Sequence, residues 1–94
     1  MVGGDAGAKD LAKLTKLVRL NLDKSRITDA ALEQLKGLAN VEWMHLGSNA
    51  ISNEGLEHLQ GLPKLKEVIV TRCPKVTPDG VEKLKKAMPS NQPV

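Results

Sequence analysis

One spacing governs this chain: apolar residues recur every 24 positions. Leu17, Val41 and Leu65 form one series, Leu20, Met44 and Val68 a second, and Leu22, Leu46 and Val70 a third. The pairs Ile27 and Ile51, Leu32 and Leu56, Leu35 and Leu59, and Leu38 and Leu62 keep the same step. In the third copy the later positions move by 25, to Val76, Val81 and Leu84, so one residue is inserted around Pro74 and Lys75. Stepping back from Leu35 and Leu38 lands on Leu11 and Leu14, and Asp5-Ala6 falls under Asp29-Ala30. The chain therefore opens on the second half of a unit, with Gly3 and Gly4 where Ile-Thr is expected. A period of about 20–50 residues is the signature of stacked units, none of which buries its apolar face alone.

Each unit changes period midway. Leu20-x-Leu22, Met44-x-Leu46 and Val68-x-Val70 alternate like short strands with one buried face. From Leu32 through Leu38, and in its copies, apolar residues step by three or four, as on a helix laying one stripe on a core. Thr28, Ser52 and Thr77 stand at the N-cap positions, where a hydroxyl accepts from the free amides of the first turn. Pro78 follows one of them at N1, a place with no amide to satisfy. Gly37 and Gly61 are expected to end two helices in the left-handed conformation.

The segments LVRLNLDKSRI (17–27), VEWMHLGSNAI (41–51) and LKEVIVTRCPKV (65–76) match the pattern LxxLxLxxN/CxL of leucine-rich repeat proteins, and the chain resembles that family. ITDAALEQLKGL and VTPDGVEKLKKAM are similar to the ITDxGLxxL halves of the cysteine-containing and short bacterial repeats. The resemblance covers residues 5–88. It implies an α/β fold: a short right-handed solenoid with parallel strands on a concave face and helices on the convex one. Ser25, Asn49 and Cys73 take the N/C position, whose side chain in the family turns inward and bonds to loop backbone. Ser25 and the extra residue near Pro74 depart from the pattern. The expected organisation is a single domain over 1–94: a half repeat and cap at 5–16, repeats at 17–40, 41–64 and 65–88, and a polar tail at 89–94. Asp5 to Lys13 is expected to cap one end and Lys83 to Met88 the other.

Composition removes several functions. Leucine supplies 14 residues while Phe and Tyr are absent and Trp43 is the single aromatic, so the core is aliphatic and no base-stacking platform for nucleic acid exists. One cysteine, Cys73, makes neither an internal disulfide nor a multi-cysteine metal site. The net charge of +3 is uneven: residues 1–59 carry 7 basic and 8 acidic side chains, residues 60–94 carry 7 and 3. Lys83, Lys85 and Lys86 account for most of that excess, and lysines in the last turns of a helix complement its dipole. No apolar run approaches the ~18 residues of a membrane span, and Met1 to Asp10 shows no signal-peptide pattern, so a cytoplasmic location is expected. Phosphate-loop, HExxH, CxxCH and EF-hand patterns are absent from the sequence.

Strand positions between the buried ones point to the other face. Three columns result: Arg19, Trp43, Glu67; Asn21, His45, Ile69; and Asp23, Gly47, Thr71. A large ring flanked by Arg19 and Glu67, with Ile69 one column away, reads as an interface anchor; the alternative has Arg19 laid on the indole as a cation–π pair that only covers the surface. His45 near Asp23 or Glu42 is read as a contact residue, His58 as helix surface, and Cys73 as an inert inward thiol. The expected function is a non-enzymatic protein–protein interaction module, a monomer without cofactor, small-molecule substrate, nucleic acid or membrane partner. Its contacts with an unidentified protein are Arg19, Asn21, Trp43, His45, Glu67, Ile69 and Thr71. The alternative is a structural or capping piece of a larger array.

Overall fold

The computed structural model describes residues 4–88. The expected tail at 89–94 and Gly3 lie outside them. Seven elements alternate along the chain: α1 (Gly4–Leu11), β1 (Arg19–Asn21), α2 (Asp29–Leu35), β2 (Trp43–His45), α3 (Asn53–Glu57), β3 (Glu67–Ile69) and α4 (Pro78–Ala87). The strands form one parallel sheet in the order β1-β2-β3. Its register joins Arg19 to Trp43 to Glu67, Leu20 to Met44 to Val68, and Asn21 to His45 to Ile69. Each partner is 24 residues from the last, so the sequence period is the pairing register. Two further parallel bridges, Thr28 to Ala50 and Ser52 to Lys75, differ in span by the one residue inserted near Pro74.

Between sheet and helices runs a single aliphatic core. Ile27, Leu32, Leu35, Leu38, Val41, Met44, Leu46, Ile51, Leu56, Leu59, Leu62 and Leu65 are fully buried within it. Leu14 does not join this core and is 51% exposed, as Val18 is at 44%. Both precede β1 in the chain, and among the described residues no strand comes before β1. The helices are shorter than their apolar stripes: Leu38, Leu59 and Leu62 are buried from the turns that follow α2 and α3. Gly37 and Gly61 lie in those turns without the expected left-handed backbone, which among the described glycines belongs to Gly4 alone. The helices close instead on ordinary right-handed residues, Lys36 and His58.

The left-handed residues fall elsewhere, and they too keep the period. Lys24, Ser48 and Arg72 have φ of 54°, 59° and 57° in the turn that follows each strand. A side chain there crowds its own carbonyl at a cost of about 1–2 kcal/mol, part of which glycine recovers against a more flexible unfolded chain. Ser48→Gly is therefore expected to stabilise the fold by about 0.5 kcal/mol, read as a higher urea midpoint at unchanged slope.

The next residue in each turn holds the loop together. Asn49 is 5% exposed. Its Nδ2 donates to the carbonyls of Leu22 (2.8 Å), Leu46 (2.9 Å) and Gly47 (3.0 Å), while its Oδ1 accepts from the amides of Ser25 (3.1 Å) and Ile27 (3.2 Å). Cys73 is buried, with Sγ donating to the Leu46 carbonyl at 3.2 Å. Ser25 departs from both. It is half-buried, its Oγ reaches only the Asp23 carbonyl at 3.4 Å, and the loop takes a second left-handed residue at Arg26. A serine side chain is too short to span the loop, so Asn49 of the next turn reaches back to satisfy the amides around it.

The helix starts are linked in series. Thr28, Ser52 and Thr77 are the N-caps of α2, α3 and α4, as expected, but only Thr28 caps its own helix, accepting from the Ala30 amide at 3.3 Å. Asp5 takes the Thr28 amide (2.8 Å) and hydroxyl (2.6 Å), and Asp29 takes the Ser52 amide (2.7 Å) and hydroxyl. Asn53 accepts from the Thr77 amide (3.0 Å) and donates to its hydroxyl (2.7 Å). A carboxylate is a stronger acceptor than a hydroxyl and draws the cap residue's own donors toward the preceding helix. Room for the Asp29 and Asn53 side chains comes from buried glycines in the first turn of the following helix, Gly55 and Gly80, where an added Cβ would run into them.

Candidate functional site

Every second residue of the three strands leaves the core and stands on the open face of the sheet. Arg19, Asn21 and Glu67 are exposed there, while Trp43, His45 and Ile69 are half-buried. The Arg19 guanidinium carbon lies 4.3 Å from the Trp43 ring centroid. The His45 ring meets that indole edge-on, with centroids 6.0 Å apart and planes at 76°. One strand position thus carries an indole fixed from two sides, by a cation on its face and by an imidazole at its edge. Glu67 stands opposite Trp43 in the register of β3, and Ile69 opposite His45.

His45 Nδ1 accepts from the Gly47 amide at 3.1 Å, so a neutral ring carries its proton on Nε2. Asn21 has a similar local task, its Oδ1 accepting from the Asp23 amide at 3.0 Å. Beyond His45 the chain passes through Gly47, which is buried despite its place on the open face. The point where a Cβ of residue 47 would sit is 2.6 Å from His45 Cε1, 2.9 Å from Asp23 Oδ1 and 3.0 Å from Thr71 Oγ1. Three polar side chains, one from β2 and two from the turns that follow β1 and β3, therefore approach a glycine whose missing side chain leaves them space.

That convergence has the residue types of a nucleophile, base and orienting acid, but not their bonds. The nitrogen of His45 that an aspartate would orient is taken by the Gly47 amide, and no Asp23–His45 or His45–Thr71 hydrogen bond joins the group among the described residues. Nor do three or more His, Cys, Asp or Glu side chains assemble there into a metal-binding cluster. The arrangement offers hydrogen-bonding groups and an aromatic surface.

Sequence reasoning named Arg19, Asn21, Trp43, His45, Glu67, Ile69 and Thr71, and the parallel register sets the first six in two adjacent rows with Thr71 one row beyond. It did not select Asp23 or Gly47. The signal was present in the third column, whose middle member is a glycine and therefore admits its neighbours' side chains. His58 is the half-buried C-cap of α3.

The sequence model of one family, described as leucine rich repeat, matches residues 15–74, well over half of the chain. The chain belongs to the leucine-rich repeat family. A search of curated proteins gave no match. Leucine-rich repeat domains are generally protein–protein interaction modules and are typically non-enzymatic. Among the described residues no helix is long and apolar enough to cross a membrane.

Proposed function

We propose that this leucine-rich repeat chain is a single domain, built of a half repeat at 5–16 and repeats at 17–40, 41–64 and 65–88, that binds a protein partner through the open face of its sheet. In this reading the repeats wind as a short right-handed solenoid, and the strand face is its concave side. Trp43 is the anchor, with Arg19, Asn21, His45, Glu67, Ile69 and Thr71 around it. The observation that carries the reading is the pre-set indole: a large half-buried ring on the middle strand, held by Arg19 and the edge of His45, with Ile69 beside it. A ring already fixed in the free protein loses little freedom when a partner covers it, which is what makes buried aromatics effective anchors. The domain acts as a monomer without cofactor or small-molecule substrate, and cytoplasmic placement goes with the reading.

The test compares the intact chain with Trp43→Ala in affinity capture, followed by titration of the captured partner. Truncation of a central anchor is expected to weaken binding by about thirtyfold, or ~2 kcal/mol, with the fold intact. An unchanged affinity removes the claim for Trp43. A second reading, a structural piece of a larger array, is favoured by apolar surface at both edges of the sheet. Leu14 and Val18 are exposed beside β1, and a hollow of 390 Å³ lies beside β3 among Val68, Val70, Val81, Leu84 and Met88. Sedimentation of the same samples separates the two: a mass that rises with concentration supports the array piece, a constant monomer mass the module.

A further inference from the structure

We propose that the outer edge of β3 is a second docking surface, which takes an extended acidic segment of a partner protein as a fourth strand. This edge is separate from the Trp43 face and does not depend on it. Along the sheet each repeat donates to the next. The Leu22 amide bonds to the His45 carbonyl at 2.7 Å and the Lys24 amide to that of Gly47 at 2.9 Å. One repeat on, Leu46 donates to Ile69 at 2.7 Å and Ser48 to Thr71 at 2.9 Å. The next members of these series are the amides of Val70 and Arg72, and among the described residues nothing accepts from either. Edge amides two residues apart are the template on which an added strand pairs.

Behind that edge lies the hollow of 390 Å³, with Val68 and Val70 on the sheet side and Val81, Leu84 and Met88 on the side of α4. Val68 and Val70 are half-buried, whereas Met44 and Leu46, their counterparts one repeat earlier, are wholly enclosed. A strand added in register turns alternate side chains onto the two valines and into the hollow. The charge of the rim selects the strand. Lys66, Lys85 and Lys86 line the hollow against one carboxylate, Glu67, and Lys66 also meets Glu42 at 3.2 Å. Carboxylates flanking an apolar pair therefore suit this rim. A second copy of the chain suits it less, because residues 11–22, which lead into and form its own open edge, carry Lys13, Lys16 and Arg19 and no acid.

The test titrates the acetylated, amidated peptide Glu-Asp-Val-Thr-Val-Asp-Glu into the 15N-labelled chain. The controls are Lys-Lys-Val-Thr-Val-Lys-Lys and the acidic peptide N-methylated at its valines and threonine. The expected result is saturable shifts at Val68, Val70 and Val81 and slowed exchange of the Val70 and Arg72 amides with the acidic peptide, and neither with the controls. Lys85→Glu combined with Lys86→Glu, both at exposed positions, is expected to weaken the acidic peptide about tenfold. Equal binding of the basic or the N-methylated peptide, no saturable shift, or undiminished binding by the double variant overturns the proposal. A second copy seated at the edge overturns it as well, and shows as Val70 shifts that move on dilution without peptide.

Discussion

Asn49→Ala is expected to cost about 4 kcal/mol, a large part of the roughly 5–15 kcal/mol that holds a domain of this size together. The deletion removes five hydrogen bonds made by one side chain that is almost wholly enclosed. The amides of Ser25 and Ile27 lose their acceptor and the Leu22 carbonyl loses its donor, while the Gly47 carbonyl keeps the Lys24 amide. The Leu46 carbonyl keeps the thiol of Cys73. Each buried group left unpaired costs about 1–3 kcal/mol, with water relieving those nearest the surface. In thermal unfolding the shift should be on the order of 20 °C downward. Asn49→Cys should fall between wild type and alanine, because a thiol there repeats the donation that Cys73 makes to the Leu46 and Thr71 carbonyls but accepts from no amide. Asn49→Asp should be at least as harmful as alanine, since it sets a second oxygen against three carbonyls. A loss below about 1 kcal/mol for Asn49→Ala would show that the loop is held by something else.

Gly55→Ala is expected to destabilise by about 3 kcal/mol, against the ~1 kcal/mol gain that alanine brings to a helix interior. The added Cβ would fall inside the Asp29 carboxylate and lie 3.0 Å from Leu32 Cδ1. Asp29 must then give up both bonds to Ser52 at the start of α3. Gly37→Ala is the control, since nothing lies within 4 Å of its added Cβ and its backbone is not left-handed; it should be neutral or mildly stabilising. Equilibrium unfolding in urea checks both. The mechanism makes a further demand: in an Asp29→Ala background most of the Gly55→Ala cost should vanish, because the two act through one contact. Additive losses would refute it.

The contrast between these glycines shows what was legible in the chain. Strand order, parallel pairing and the inward residues followed from the 24-residue period, because a repeat that buries Leu20, Met44 and Val68 on one side leaves a single register. The lengths of α2 and α3 did not follow. Leu38 and Leu62 keep a helical spacing in sequence, yet they enter the core from turns, which serve burial as well as a helix does. The left-handed position was hidden for a chemical reason: Lys24, Ser48 and Arg72 share no side-chain type that marks positive φ. Of the candidate site, the rows of Arg19, Trp43 and Glu67 and of Asn21, His45 and Ile69 were readable from alternation alone. The approach of Asp23 and Thr71 to Gly47 was not, since it depends on rotamers that lean inward from the two neighbouring repeats.

The links Asp5 to Thr28, Asp29 to Ser52 and Asn53 to Thr77 all run the same way, from an acceptor earlier in the chain to a helix start later in it. A chain emerging from a ribosome makes each acceptor before the amide it serves. Every unit can therefore dock on a finished template, and order is passed on in the direction of synthesis. The next place in that series is Pro78, whose ring has no acceptor to hand onward.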